Sequence, residues 1–149
     1  RMIAYDMYPD QEAAARLGVE MVSRKEVLEQ SDILSIHLPA TPATKHFVNR
    51  DTIAVMKYGV LVVNTARGSI VNEAHMAEAM QAGKVAGFGT DVFEKEPIDP
   101  NGPLFHMENY IATPHVSAET YENCETTSIV TAKALLAVLR GEEPEHRLV

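Results

Sequence analysis

Short apolar runs alternate with helical patterns along the whole chain, and the punctuation between them is regular. Residues 2–5 read as a strand ending at Asp6; Pro9 then opens a helix through about Leu17 that Gly18 stops. Residues 19–22 form a second strand, and Ser23 with Glu26 has capping-box spacing for a helix through about Gln30. A third strand over 33–38 is closed by Pro39 and the loop ATPATKH. A short helix over 50–57 is broken at Gly59, and 60–64, VLVVN, is a strand apolar on both faces. Asn72 is placed to cap a helix over 73–82, with Gly83 as its left-handed stop. Strands follow at 85–92 and 110–113. A final helix over about 118–140 ends at Gly141, spans roughly 35 Å at 1.5 Å per residue, and carries Ile129, Val130, Leu135, Leu136 and Leu139 on a broad apolar side.

This alternation implies parallel strands joined by crossover helices, with helices on both faces: a doubly wound α/β domain. Ligands in such sheets sit beyond the carboxyl ends of the strands. That rule selects Asp6, residues 37–39, residues 65–68, Asp91 and His115. At 149 residues the chain is about one domain long, and no internal repeat or linker divides it. A net charge of −8 disfavours a nucleic-acid surface, and no apolar run is long enough for a membrane span. Cys124 is the one cysteine, so there is no internal disulfide framework and no metal-site spacing, as in a reducing, cytoplasmic setting. No targeting segment is visible at Arg1.

The strand-end residues carry both plain and chemical readings. An acid such as Asp6 is a common turn former, and in a dinucleotide-binding unit it also accepts from ribose hydroxyls and repels a 2′-phosphate. The glycine loop that would accompany it should lie about 20 residues earlier, and no G-x-G-x-x-G occurs in this chain. His37, Leu38 and Pro39 make either a strand-end loop or an apolar wall beside an adenine ring. In TARG, small Thr65, Ala66 and Gly68 permit close approach to the backbone, and Arg67 offers a planar fork for two carboxylate oxygens or, more plainly, for a neighbouring acid. Asp91 is a turn cap or an acceptor for a carboxamide; Glu96 is a loop acid or a charge partner; His115, after Pro114, is a proton-transfer group if it has company. Arg67, Glu96 and His115 together supply an anion clamp, a charge partner and an acid/base.

The segments HLPATPATKHFVN, VVNTARGSIVNE, GFGTDVFEKEP and ATPHVSAET resemble, in order and spacing, the signature segments of the D-isomer-specific 2-hydroxyacid dehydrogenases, over essentially the whole chain. The resemblance places the chain in the C-terminal half of such an enzyme. It implies a Rossmann-type domain over 1–149 that includes the long helix at about 118–140 but lacks the first strand, the glycine loop and the first helix; the N-terminal catalytic domain is absent. It further implies NAD as cofactor, Arg67 as the substrate-binding arginine, His115 as the catalytic histidine and Glu96 as its paired acid. Asp6 matches the ribose acid, Thr65 and Ala66 the backbone beside the nicotinamide, and Asp91 the carboxamide acceptor. Ser117 and Ala118 stand beside the cofactor where many relatives carry glycine. The implied reaction is hydride transfer between nicotinamide and a 2-hydroxy or 2-keto acid by a homodimer joined through its nucleotide domains. Glu96 argues against the formate-oxidising branch, which lacks a histidine-paired acid. The alternatives are an NADH-sensing, corepressor-like module, or a truncated chain inactive alone. Because the first strand lies mid-sheet in the order 3-2-1-4-5-6, its absence should leave a gap, or the sheet should rearrange.

Overall fold

The computed structural model describes residues 1–145 and 147. In chain order the elements are β1 (Met2–Ala4), α1 (Gln11–Leu17), β2 (Val19–Met21), α2 (Arg24–Gln30), β3 (Ile33–Ile36) and α3 (Arg50–Val55). They continue with β4 (Val60–Asn64), α4 (Glu73–Gln81), β5 (Val85–Thr90), β6 (Tyr110–Ala112) and α5 (Tyr121–Leu139). The expected limits hold where side chains enforce them. Ser23 Oγ accepts from Glu26 N at 3.2 Å while the Glu26 carboxylate accepts from Ser23 N at 2.9 Å, so the capping box starts α2. Gly18, at φ 67°, ends α1 in the left-handed conformation that suits glycine at this place.

Two strands are two residues shorter than the apolar pattern suggests. β5 stops at Thr90 because the Thr90 hydroxyl turns back to the carbonyls of Val92 (2.7 Å) and Asn64 (3.1 Å) and bends the chain out of the ladder. β3 stops at Ile36, where Ser35 Oγ and His37 Nε2 pair at 2.8 Å. Short 3₁₀ turns at Gly68–Ile70 and Pro103–His106 carry no periodicity that a sequence pattern reveals.

All strand pairs are parallel. β1 and β2 form a two-stranded sheet, with Met2 opposite Val19. The order β3-β4-β5-β6 makes a four-stranded sheet, with Ile33 opposite Leu61, Leu61 opposite Gly87 and Phe88 opposite Tyr110. In the doubly wound order a central strand belongs between β1 and β3. Its place is a cleft of about 520 Å³, bordered by Ala4 and Tyr5 on one side and by Leu34 and Ile36 on the other. The gap foreseen from the sequence is therefore present, and the flanking strands have not closed over it.

The core lies on one face of the four-stranded sheet, where Leu34, Val62 and Phe88 meet α2, α3 and α4 through Leu28, Ile53, Met76 and others. On the opposite face Ile33, Leu61 and Ile111 are 64%, 43% and 71% exposed. The chain divides into two compact units, one over Arg1–Pro114 and one from His115 onward. In the second, Thr120 caps α5 by accepting from Asn123 N, and none of the helix's residues is buried. Position 149, taken above as the end of the domain, lies outside the described residues.

Candidate active site

The turn after β4 is built by a residue that the sequence reasoning passed over. Asn64 is fully buried; its Nδ2 donates to Arg67 O at 3.0 Å and its Oδ1 accepts from Ala66 N at 3.1 Å, which closes the turn around its own side chain. Its carbonyl accepts from Asp91 N at 3.0 Å, so one asparagine fixes both the 65–67 turn and the chain after β5. The available signal was a polar residue ending an apolar strand on its core-facing register.

Thr65 and Arg67 are exposed at this strand end. The Arg67 guanidinium donates to Ala66 O at 2.7 Å, and among the described residues no carboxylate lies within ion-pair distance of it. Arg1 and Arg50, by contrast, pair with Glu20 at 2.8 Å and with Glu78 at 2.5 Å. The reading of Arg67 as an ion-paired surface residue is removed, and most of its five donors remain available for an anion.

Gly68 couples this turn to the loop after β5. A Cβ built on it would lie 1.8 Å from Phe93 O and 2.5 Å from Glu94 N, so the two backbones touch where only glycine fits. In that second loop Glu96 Oε1 accepts from Phe93 N at 3.1 Å, which ties the acid to its own turn. Glu94 Oε1 meets His46 Nε2 at 2.6 Å, and Glu94 and Glu73 exchange bonds, each backbone N–H donating to the other's carboxylate (2.8 and 3.3 Å). Burial, and then the nearby Glu94 charge, raise the Glu73 carboxyl above the usual carboxylate range, partly offset by the Glu94 N–H bond. Asp91 is buried and its Oδ1 accepts from the Thr113 hydroxyl at 2.5 Å.

Asp6, His37 and Leu38 are brought together on the wall of the cleft between β1 and β3. Asp6 does serve as a turn former, since Oδ1 accepts from Tyr8 N at 2.7 Å, which leaves its other oxygen for a ligand. His37 bonds Ser35, and the Pro39 carbonyl accepts from Thr44 Oγ1 at 2.5 Å, so the loop that carries these residues is pinned. The cleft's apolar walls and terminal acid fit the adenosine end of a dinucleotide, and the open Thr65–Ala66 backbone fits a flat ring. A glycine loop to cradle the pyrophosphate is not among these residues. His115 and Ser117 lie at the start of the second unit, both exposed; His115 has φ 58°, a left-handed backbone uncommon outside glycine. Among the described residues no cluster of His, Cys, Asp and Glu is placed to hold a metal ion, and no helix is long and apolar enough to cross a membrane.

Comparison with known proteins agrees with this architecture. The chain is 39% identical over 146 residues to D-3-phosphoglycerate dehydrogenase of Methanocaldococcus jannaschii, covering 97% of this chain and 28% of that protein. It is 37% identical over 146 residues to glyoxylate reductase of Korarchaeum cryptofilum, covering 98% of this chain and 44% of that one. The apo structure of D-lactate dehydrogenase from Escherichia coli superposes with a TM-score of 0.91 at 35% identity, over 100% of this chain and 47% of that chain. The chain thus spans less than half the length of each of these relatives. The profile of one family matches residues 1–117, and with it the parallel sheets and strand-end site have their setting: the chain belongs to the D-isomer specific 2-hydroxyacid dehydrogenases, as their NAD binding domain.

Proposed function

We propose that this chain is the nucleotide-binding part of an enzyme that transfers a hydride between a nicotinamide cofactor and C2 of a 2-hydroxy or 2-keto acid. The observation that carries the reading is Arg67: an exposed guanidinium without an acid partner, on a rigid turn at the carboxyl end of a central strand. Bound NAD would supply or accept the hydride. The side chains do the rest. Arg67 holds the substrate carboxylate by paired charge-assisted hydrogen bonds and draws electron density from the adjacent keto oxygen. A ring nitrogen of His115 gives that oxygen its proton during reduction and takes it back during oxidation, a contribution of about 10² to 10⁴ in rate. Glu96 accepts from the other ring nitrogen, which fixes the tautomer and favours the protonated ring.

The left-handed backbone at His115 supports this role, since such strain, of order 1–3 kcal/mol, gathers at functional sites. Asp6 accepts from the adenosine ribose and selects NAD over its 2′-phosphorylated form; Leu38 and Pro39 flank the adenine; Asp91 orients the carboxamide; and Ser117 lies beside the cofactor. Phosphoglycerate, lactate, glyoxylate and hydroxypyruvate all match this chemistry. The cleft between β1 and β3 takes a central strand from outside these residues, and the chain alone, without a pyrophosphate cradle, does not turn over substrate. Assembly as a homodimer through the nucleotide domains and a reducing, cytoplasmic setting complete the proposal; the exposed free thiol of Cys124 suits the latter.

The test is His115→Ala in the intact protein. Turnover of NADH with 2-keto acids should fall by at least 10² while NADH affinity stays within about twofold. Equal losses in both would contradict the assignment.

A further inference from the structure

His46 has a left-handed backbone at φ 51°, a conformation that is unfavourable for a residue other than glycine. Three bonds hold it there. Its N–H donates to Ser69 O at 2.8 Å, its carbonyl accepts from Asn49 Nδ2 at 2.8 Å, and its ring reaches Glu94 Oε1 at 2.6 Å. The first bond attaches it to the turn that carries Arg67, and the last attaches it to the loop that carries Glu96. Glu94 in turn exchanges backbone-to-carboxylate bonds with Glu73 at the first turn of α4, where an anion is favoured by the helix dipole. Both members of the His46–Glu94 pair are about one-third exposed, so solvent screens the attraction. The value of the pair lies in geometry more than in stability.

The consequence falls on Glu96. Its carboxylate is set by Phe93 N, the neighbour of Glu94, and Phe93 O in turn presses on Gly68. A Glu94 released from His46 and Glu73 would let the 93–96 segment rotate away from Gly68, and Glu96 would move with it. We infer that His46, Glu94 and Glu73 form a clasp that positions Glu96, with His46 as a positioning residue for proton transfer although it does not itself touch the substrate. This inference rests on the proposed pairing of Glu96 with His115.

The experiment is a double-mutant cycle in the full-length protein that contains this chain. His46→Asn tolerates the left-handed backbone but is too short to reach Glu94, and His46→Gln restores a donor at about the ring-nitrogen distance. In the parent background His46→Asn should lower kcat about tenfold with KM for NADH within about twofold, and His46→Gln should recover most of the loss. In a Glu96→Gln background His46→Asn should cost nothing further, because the group being positioned has already been disabled. Thermal melts of each variant establish that the fold is intact. Should His46→Asn cost the same factor in both backgrounds, or leave kcat unchanged in the parent, the clasp does not act through Glu96 and the inference is overturned. Should Glu96→Gln itself leave kcat unchanged, the fault lies in the proposed role of Glu96, and the inference falls with it.

Discussion

Gly68→Ala is the smallest perturbation that bears on the strand-end geometry. The added methyl would sit 1.8 Å from Phe93 O, 1.9 Å from Phe93 C and 2.5 Å from Glu94 N, all of them backbone atoms. No side-chain rotamer relieves such contacts, so the 93–94 segment must retreat by more than 1 Å from the 3.0 Å floor that real Cβ atoms respect. That segment is held by the Glu94 bonds to His46 and Glu73 and by Asp91 N on Asn64 O, so the retreat competes with four hydrogen bonds. Overpacking of this kind costs about 1–3 kcal/mol, or about 2–4 °C in melting temperature per kcal/mol in a protein of moderate size. Gly68 does not have a positive φ, so backbone strain does not add to the result. A displacement near 1 Å between the Arg67 turn and the Glu96 loop lowers turnover by about 10²-fold. The Asp6 end of the cleft is untouched, so NADH affinity stays within about twofold. Steady-state NADH oxidation with a 2-keto acid, fluorescence titration of NADH and a thermal melt on the full-length variant make the test. Catalytic efficiency within twofold of the parent, with an unchanged melt, would refute the argument that backbone contact at Gly68 sets the site.

Three further outcomes follow from single residues. The Tyr110 hydroxyl is buried and finds no partner among the described residues, and burial followed by the Glu73 charge pushes its pKa up to about 12. Tyr110→Phe should therefore hold or raise stability, by up to about 1 kcal/mol in urea unfolding; a loss above 1 kcal/mol would mean that the hydroxyl is satisfied. Glu73 has a raised folded pKa, so its contribution to stability is fully present below the ordinary carboxylate value and lost as pH rises through the raised one. Glu73→Gln keeps the acceptor for Glu94 N and cannot ionise, so it should gain on the parent from acid to neutral pH; parallel pH profiles would contradict this. Asp6→Ser in the full-length protein should narrow the preference for NADH over NADPH, by about tenfold in the ratio of kcat/KM, and an unchanged ratio would count against the ribose role.

The fold was legible where local chemistry decides it. Ser23 and Glu26, Asn72, and Gly18 mark helix ends by hydrogen bonds within a few residues, and the apolar run at 60–64 became β4 with the expected limits. The ends of β3 and β5 were less legible, since Ser35 and Thr90 stop those strands with side-chain bonds that hydropathy does not register. The strand-end positions followed from the parallel topology, and Arg67 lies in the turn after β4. Asn64 and His46 were missed, and Gly68 was read as room for a ligand and not for a loop, because their importance is tertiary. Asn64 braces a turn from inside, Gly68 makes room for a loop some 25 residues away in sequence, and His46 pairs with Glu94 across 48 positions.

The central claim is that Arg67 lacks an acid partner because it is kept for a substrate carboxylate. Arg67→Gln in the full-length protein, assayed by NADH oxidation against a 2-keto acid and against the matching ketone without a carboxylate, tests it most directly. Loss of a charge-assisted bidentate contact worth about 3 kcal/mol should lower kcat/KM for the keto acid by about 10²-fold, leave NADH affinity within twofold, and leave the poor rate on the plain ketone little changed. An equal fall on both substrates, or none on the keto acid, would contradict the account.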